Sequence, residues 1–185
     1  MKPSGASLRW DSRWQLYLHG LVMPQAFYRR KLPHLQCDFK QHFVTFYTYQ
    51  RWVLPPQARS LVLESCLHDN GTRYDLRAAV VMPDHAHLIF TPLVDYEGME
   101  VCSLAKIMDA IKGASSHKIN RVLGRSGKVW QTESFDHVVR SVEGLDAKIQ
   151  YILENPVRRN LVKNWREYRW VWEKAFVNPF GPPVV

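Results

Sequence analysis

The sequence predicts an α+β fold: one antiparallel sheet with helices on one face. Two observations lead there. Runs rich in β-branched and aromatic residues alternate with segments whose apolar residues recur at helical spacing, in the order β-α-β-β-α-β-α. The two middle strand runs are joined by Pro83-Asp84, a tight-turn pair that makes them a hairpin. The first six elements match the split βαβ, ferredoxin-like arrangement, which is also that of RNA-recognition (RRM-like) sheets.

Residues 1–37 read as an extension, rich in Arg, Pro, Ser and aromatics and without sustained periodicity. "HFVTFYTYQ" (42–50) alternates and is the first strand. "PPQARSLVLESCLHDN" (55–70) opens on proline, keeps helical spacing and stops at Asn70-Gly71. "RYDLRAAVVM" and "HAHLIFTP" are the hairpin strands. A long helix follows over 103–123, with Ser103 as N-cap and Gly124 beyond its end. "ESFDHVVR" (133–140) is the fourth strand. "SVEGLDAKIQYILEN" (141–155) is a helix capped by Ser141 that ends before Pro156. The domain is expected to span 38–172, with "VRRNLVKNWREYRWVW" as a basic closing segment and 173–185 as a tail.

The formal net charge is +8, which favours polyanionic partners, nucleic acid first and a membrane surface second. Three cysteines without a C-x-x-C pattern indicate neither a disulfide framework nor a zinc knuckle and fit a reducing cytoplasm. No apolar run has the length of a membrane span, and "WQLYLHGLVMP" lacks the cleavage site of a signal peptide.

"VVMPDHAHLIFTP" (80–92) places His85 and His87 on one face of a strand, roughly 7 Å apart along it. Ala86, Leu88 and Phe90 share the other face and suit packing against helices. The histidines and Ile89 are thus expected on a helix-free face of the sheet. There they read either as two ligands of one metal ion or as two hydrogen-bonded histidines at a sheet end. Tyr151 and Asn155 lie four apart, on one face of a helix. From the residues alone, Tyr151 reads as a core aromatic with a surface hydroxyl and Asn155 as a helix terminator.

The histidine-hydrophobic-histidine motif of "VVMPDHAHLIF" resembles that of single-strand nucleases and transposases. Together with "AKIMDAIKGASSHKIN", "VWQTESFDHVVRS" and "YILENPVRRNLV", it is similar to the IS200-like tyrosine transposases, and within them to the REP-associated branch. The resemblance covers roughly residues 38–168. It implies a single-stranded DNA endonuclease and strand transferase acting near a palindromic hairpin through a 5′-phosphotyrosine. It makes Tyr151 the nucleophile and His85, His87 and Asn155 the ligands of Mg²⁺ or Mn²⁺. An amide oxygen beside imidazoles suits such an ion. A tyrosine hydroxyl, ordinarily titrating near 10, needs a positive charge or a base beside it to attack at neutral pH. The REP-associated type implies a monomer, with Tyr151 beside its own histidines.

Lys106, Lys112, Lys118 and Arg121 punctuate the long helix, either as a solvated face or as phosphate contacts. Arg158, Arg159 and Arg166 are interleaved with Trp165 and further aromatics, a composition that suits single strands. Arg29 and Arg30 are candidate hairpin contacts. Gly113, next to Lys112, is expected where another backbone approaches closely. Asp84 is read as turn chemistry, and Asp136 is left without a role. A non-catalytic nucleic-acid-binding module on an RNA-recognition-like sheet is the rival function. A metal hydrolase of small substrates is a third, which the basic charge makes less attractive.

Overall fold

The hairpin at Pro83-Asp84 sits at the centre of the molecule. The computed structural model describes residues 40–95, 100–139 and 142–174. The extension with Arg29 and Arg30, the Ser141 cap and the tail past 174 lie outside them. Strand β3 (His85–Pro92) pairs antiparallel with β1 (Gln41–Tyr47) on one side and with β2 (Tyr74–Val81) on the other. Strand β6 (Phe135–Val139) adds beside β1. The order β6-β1-β3-β2 is the split βαβ arrangement, and β7 (Val171–Glu173) extends it beyond β2. A small separate ribbon pairs β4 (Val94–Asp95) with β5 (Glu100–Val101). Neither β7 nor this ribbon was expected. Segments of two or three residues carry no periodicity, and only pairing with a neighbour makes them strands.

Helix α1 (Pro56–His68) begins on its proline, where the missing N–H costs nothing. Just past it, Gly71 takes φ +86°, a left-handed conformation that glycine adopts without strain. Helix α2 (Leu104–Val122) is capped as expected: the Ser103 hydroxyl accepts from the Lys106 N–H. Both helices pack on the sheet face carrying Val44, Phe46, Leu88 and Phe90, together with Ile107, Met108 and Ile111 of α2. Full burial of each such side chain contributes roughly 1.5–3 kcal/mol.

The other face is not helix-free. Helix α3 (Val142–Leu153) lays Leu145, Ile152 and Leu153 over Phe43, Ala78, Val80 and Ile89. The expectation of an open face came from reading α3 as an appendage. Its apolar residues need a partner, and this is the face that α1 and α2 leave uncovered. A register shift in β2 between Leu76 and Ala78 fits the strand to both layers. It changes which alternate residues face each way, so Leu76, Ala79 and Val81 join the α1–α2 layer while Ala78 and Val80 join the α3 layer.

The predicted helix 141–155 is two helices. α3 ends at Leu153, and a further turn, α4 (Asn155–Arg158), takes Pro156 into its first turn. The i→i−4 bonding runs across the junction, from Glu154 N–H to Gln150 and from Arg158 N–H to Glu154. Gly113 does not meet another backbone: a Cβ there would touch nothing within 4 Å. The close approach expected of it is absent.

Candidate active site

His85 and His87 open the central strand, beneath α3 and only 4% and 5% exposed. Their rings lean together, so that the two Nε2 atoms stand 3.1 Å apart. Each ring is held from behind. His85 Nδ1 lies 2.6 Å from Asp84 Oδ1, and His87 Nδ1 lies 2.8 Å from Thr45 Oγ1, whose residue faces His87 in the β1–β3 register.

Asp84 fixes where the proton of His85 sits. A carboxylate only accepts, so His85 Nδ1–H donates to Asp84 and its Nε2 carries a lone pair. A direct Nε2–Nε2 hydrogen bond then requires His87 Nε2–H to donate, with the Thr45 hydroxyl donating to His87 Nδ1. The hydroxyl can equally accept, in which case His87 Nδ1 holds the proton and both Nε2 lone pairs face the same point. Thr45 therefore accommodates either tautomer of His87.

Burial holds His85 below the usual imidazole range, outweighing the opposing pull of Asp84. For His87, burial first and the neighbouring His85 next push the imidazole down to about 3; Asp84 opposes and Arg159 adds to the shift. Partial burial pushes the Asp84 carboxyl up, but His85 and Arg51 together hold it below its usual value. Two neutral imidazoles with converging nitrogens fit a divalent cation. In octahedral coordination, bonds of roughly 2.1 Å put neighbouring ligands roughly 3 Å apart. Among the described residues, no group of three or more His, Cys, Asp or Glu side chains could hold a metal. A third protein ligand would have to be of another kind.

The buried histidines make the fold sensitive to acid. Above pH 6.5, His87 is neutral whether the chain is folded or not. Between 6.5 and about 3 the unfolded chain takes up a proton that the folded chain does not. Stability is therefore present above 6.5 and falls as pH drops, by up to roughly 1.4 kcal/mol per pH unit from this one group. Asp84, held low, adds loss in the same direction at the acid end. Urea unfolding in the presence of chelator should trace this decline; a flat profile from pH 6.5 to 4 would mean that folded His87 is charged.

Phe43 stacks on His87 with centroids 5.7 Å apart, and Tyr151 meets both rings edge-on at 6.3 Å. Tyr151 is 41% exposed, the Arg158 guanidinium lies 4.8 Å from its ring centre, and Lys148 lies over Phe43. Asn155 is buried at the start of α4, and its Nδ2 donates to the Tyr151 carbonyl at 3.0 Å. The amide nitrogen is thus engaged, and the oxygen is the side-chain atom suited to a cation.

The structure brings Tyr151, Arg158 and both histidines together, and Arg159 is close enough to act electrostatically on the imidazoles. Lys106, Lys112, Lys118 and Arg121 are on α2, across the sheet from this cluster. Lys112 Nζ donates to the Thr132 carbonyl and the Ser134 hydroxyl, tying α2 to the segment before β6. The closing segment is more structural than its composition suggested. Buried Tyr168 donates to the Val81 carbonyl, Trp170 donates to Ser60, and Arg59 lies over the Trp170 ring. Trp165 packs partly on the α3-side core, with Arg166 over its ring. Sequence reasoning missed Thr45 and Arg51 and underrated Asp84. A carboxylate directly before the first histidine was a usable signal. Thr45, 42 positions from its partner, left none.

The model of the family described as "Transposase IS200 like" matches residues 36–155. Among solved structures, a REP-associated tyrosine transposase bound to a REP hairpin is similar, with a TM-score of 0.57 and 20% identity, covering 79% of this chain and 81% of that one. A crystal structure from Deinococcus radiodurans, described as that of a candidate transposase, is similar at a TM-score of 0.42 and 21% identity, covering 69% of this chain and 97% of that one. No curated protein matches.

Proposed function

This chain belongs to the IS200-like transposase family, and on that premise we propose that it is a metal-dependent endonuclease and strand transferase acting on single-stranded DNA beside a hairpin. The observation that carries this reading is the meeting of two Nε2 atoms at 3.1 Å with the ring of Tyr151 edge-on to His87 in the same chain. His85, His87 and the Asn155 oxygen would hold Mg²⁺ or Mn²⁺. When bound, such an ion draws charge from a non-bridging phosphate oxygen and offsets the charge that develops in the transition state.

The chain's own residues supply the rest. Asp84 holds the proton of His85 at Nδ1, and Thr45 accepts that of His87 at the corresponding atom. Phe43 and α3 keep water from the imidazoles. The Tyr151 oxygen gives up its proton as it attacks phosphorus, the P–O3′ bond breaks, and the departing O3′ takes up a proton, leaving a 3′-hydroxyl and a 5′-phosphotyrosine. The ester bond retains the energy needed for rejoining. Arg158 sets positive charge over the ring whose oxygen must carry negative charge as it attacks. Because Tyr151 lies beside the histidines of its own chain, it would act in cis, as a monomer permits.

The rival RNA-recognition reading needs an open sheet face on which bases can stack. Here α3 covers that face and Phe43 is buried beneath it. A bound hairpin in a solved structure of this fold supports the choice of substrate. The duplex form is disfavoured physically: unstacking costs a few kcal/mol per base, and no ATP-binding loop is present in the sequence to drive it. Incubation with Mn²⁺ and hairpin DNA bearing single-stranded flanks should therefore give cleavage and a protein–DNA adduct on a denaturing gel. The same sequence as a linear duplex should give little of either. Equal cutting of both would overturn the substrate assignment.

A further inference from the structure

On the Asp84 side of the site lies a pocket of about 290 Å³ that the chemistry above does not use. Arg51 and Arg159 line it with Asp84, and Met82 contributes to the lining. Two of its lining residues are unusual for their exposure: Val53 is 64% and Leu161 41% accessible, both among the most exposed large apolar side chains described. The backbone around it is unusual as well. Among the described residues, the non-glycine positions with left-handed φ are Gln50 (+53°), Arg51 (+55°) and Asn160 (+54°). Arg51 lines the pocket and Gln50 precedes it in the chain, while Asn160 lies in sequence between the lining residues Arg159 and Leu161. Such conformations persist where the surrounding structure enforces them, and they gather at binding sites.

The lining is divided chemically. Arg51 is committed: it bonds Asp84 at 3.1 Å and lies 3.6 Å from the Tyr47 ring centre. Arg159 has no ion pair among the described residues and is exposed. Cations beside exposed aliphatic side chains suit a ligand with an anionic end and a flat apolar end. The volume is at the small end of ligand pockets and large enough for a base.

We propose that this pocket holds one nucleotide of the single-stranded flank, its base against Val53 and Leu161 and its phosphate on Arg159. The inference rests on the reading of the chain as a single-strand nuclease and names a subsite for it. Because Asp84 touches both the pocket and His85, a nucleotide seated there fixes the neighbouring phosphate relative to the histidines. The pocket thereby sets which bond is cut, through positioning rather than through overall charge.

The test uses the full chain in EDTA, so that binding is read without cleavage. Hairpin DNA with single-stranded flanks is prepared with one abasic residue at each flank position in turn, and affinity is measured by fluorescence anisotropy. At one position the abasic substitution should weaken wild-type binding about tenfold. The double variant Val53→Ala/Leu161→Ala should bind intact DNA correspondingly more weakly and be indifferent to the abasic residue at that position alone. Each single alanine variant, altering only one exposed side chain, should show part of the same coupling. Arg159→Ala should reduce the slope of log affinity against log salt by about one. If the alanine variants keep wild-type sensitivity at every position, or if no position matters to the wild type, the pocket is not a nucleotide subsite. Adduct formation with Mn²⁺, measured separately, tells that failure from failure of the nuclease reading.

Discussion

Tyr151→Phe is expected to remove the covalent protein–DNA adduct and to cut cleavage by at least about a thousandfold, as deleting a nucleophile does. The substitution takes away one oxygen and keeps the ring. The edge-on contacts with Phe43 and His87 and the Arg158 guanidinium over the ring all remain available to phenylalanine. Stability should therefore change by no more than about 0.5 kcal/mol, and affinity for hairpin DNA should be nearly unchanged. A denaturing gel with labelled DNA reads the adduct, and anisotropy reads binding. Wild-type nicking by this variant would mean that another group is the nucleophile.

His87→Ala has the second large effect, and it separates metal chemistry from folding. Removing one of two converging imidazoles should lower Mn²⁺ affinity by at least about a hundredfold, more than the loss of a supporting partner usually costs. Cleavage should stop with it, and chelation of the wild type should do the same. Loss of a buried ring stacked on Phe43 should also cost about 2 kcal/mol at neutral pH. The variant should, however, lose the acid-induced decline that His87 causes, so its stability should depend less on pH between 6.5 and 4. Titration calorimetry with Mn²⁺ and urea unfolding in EDTA measure the two effects independently. Full activity of the wild type in EDTA would take the cation out of the mechanism.

Much of the molecule is legible in the chain because its signals are local. Pro83-Asp84 specifies the hairpin, alternation specifies β1, and Ser103 caps α2 through its own next turn. The spacing of His85 and His87 puts both on one face, and the spacing of Tyr151 and Asn155 survives a change of helix because i→i−4 bonds from Glu154 and Arg158 bridge the junction on either side of Pro156.

What only the tertiary structure decided depends on partners distant in sequence. Alternation along β3 identifies a second face but not what covers it; α3 does, because its apolar residues find no other surface. Thr45 reaches His87 through strand register, which no local pattern encodes. The same holds for β7, whose three residues become a strand only against β2, and for the Trp and Tyr side chains after Arg159. Their composition suits stacking on bases, yet the sheet edge and α1 take up Tyr168 and Trp170 through hydrogen bonds more than 80 positions long. Local chemistry determined the elements and which side chains are candidates for the reaction. Long-range packing determined that the histidines are buried and neutral, and which group holds each of them in place.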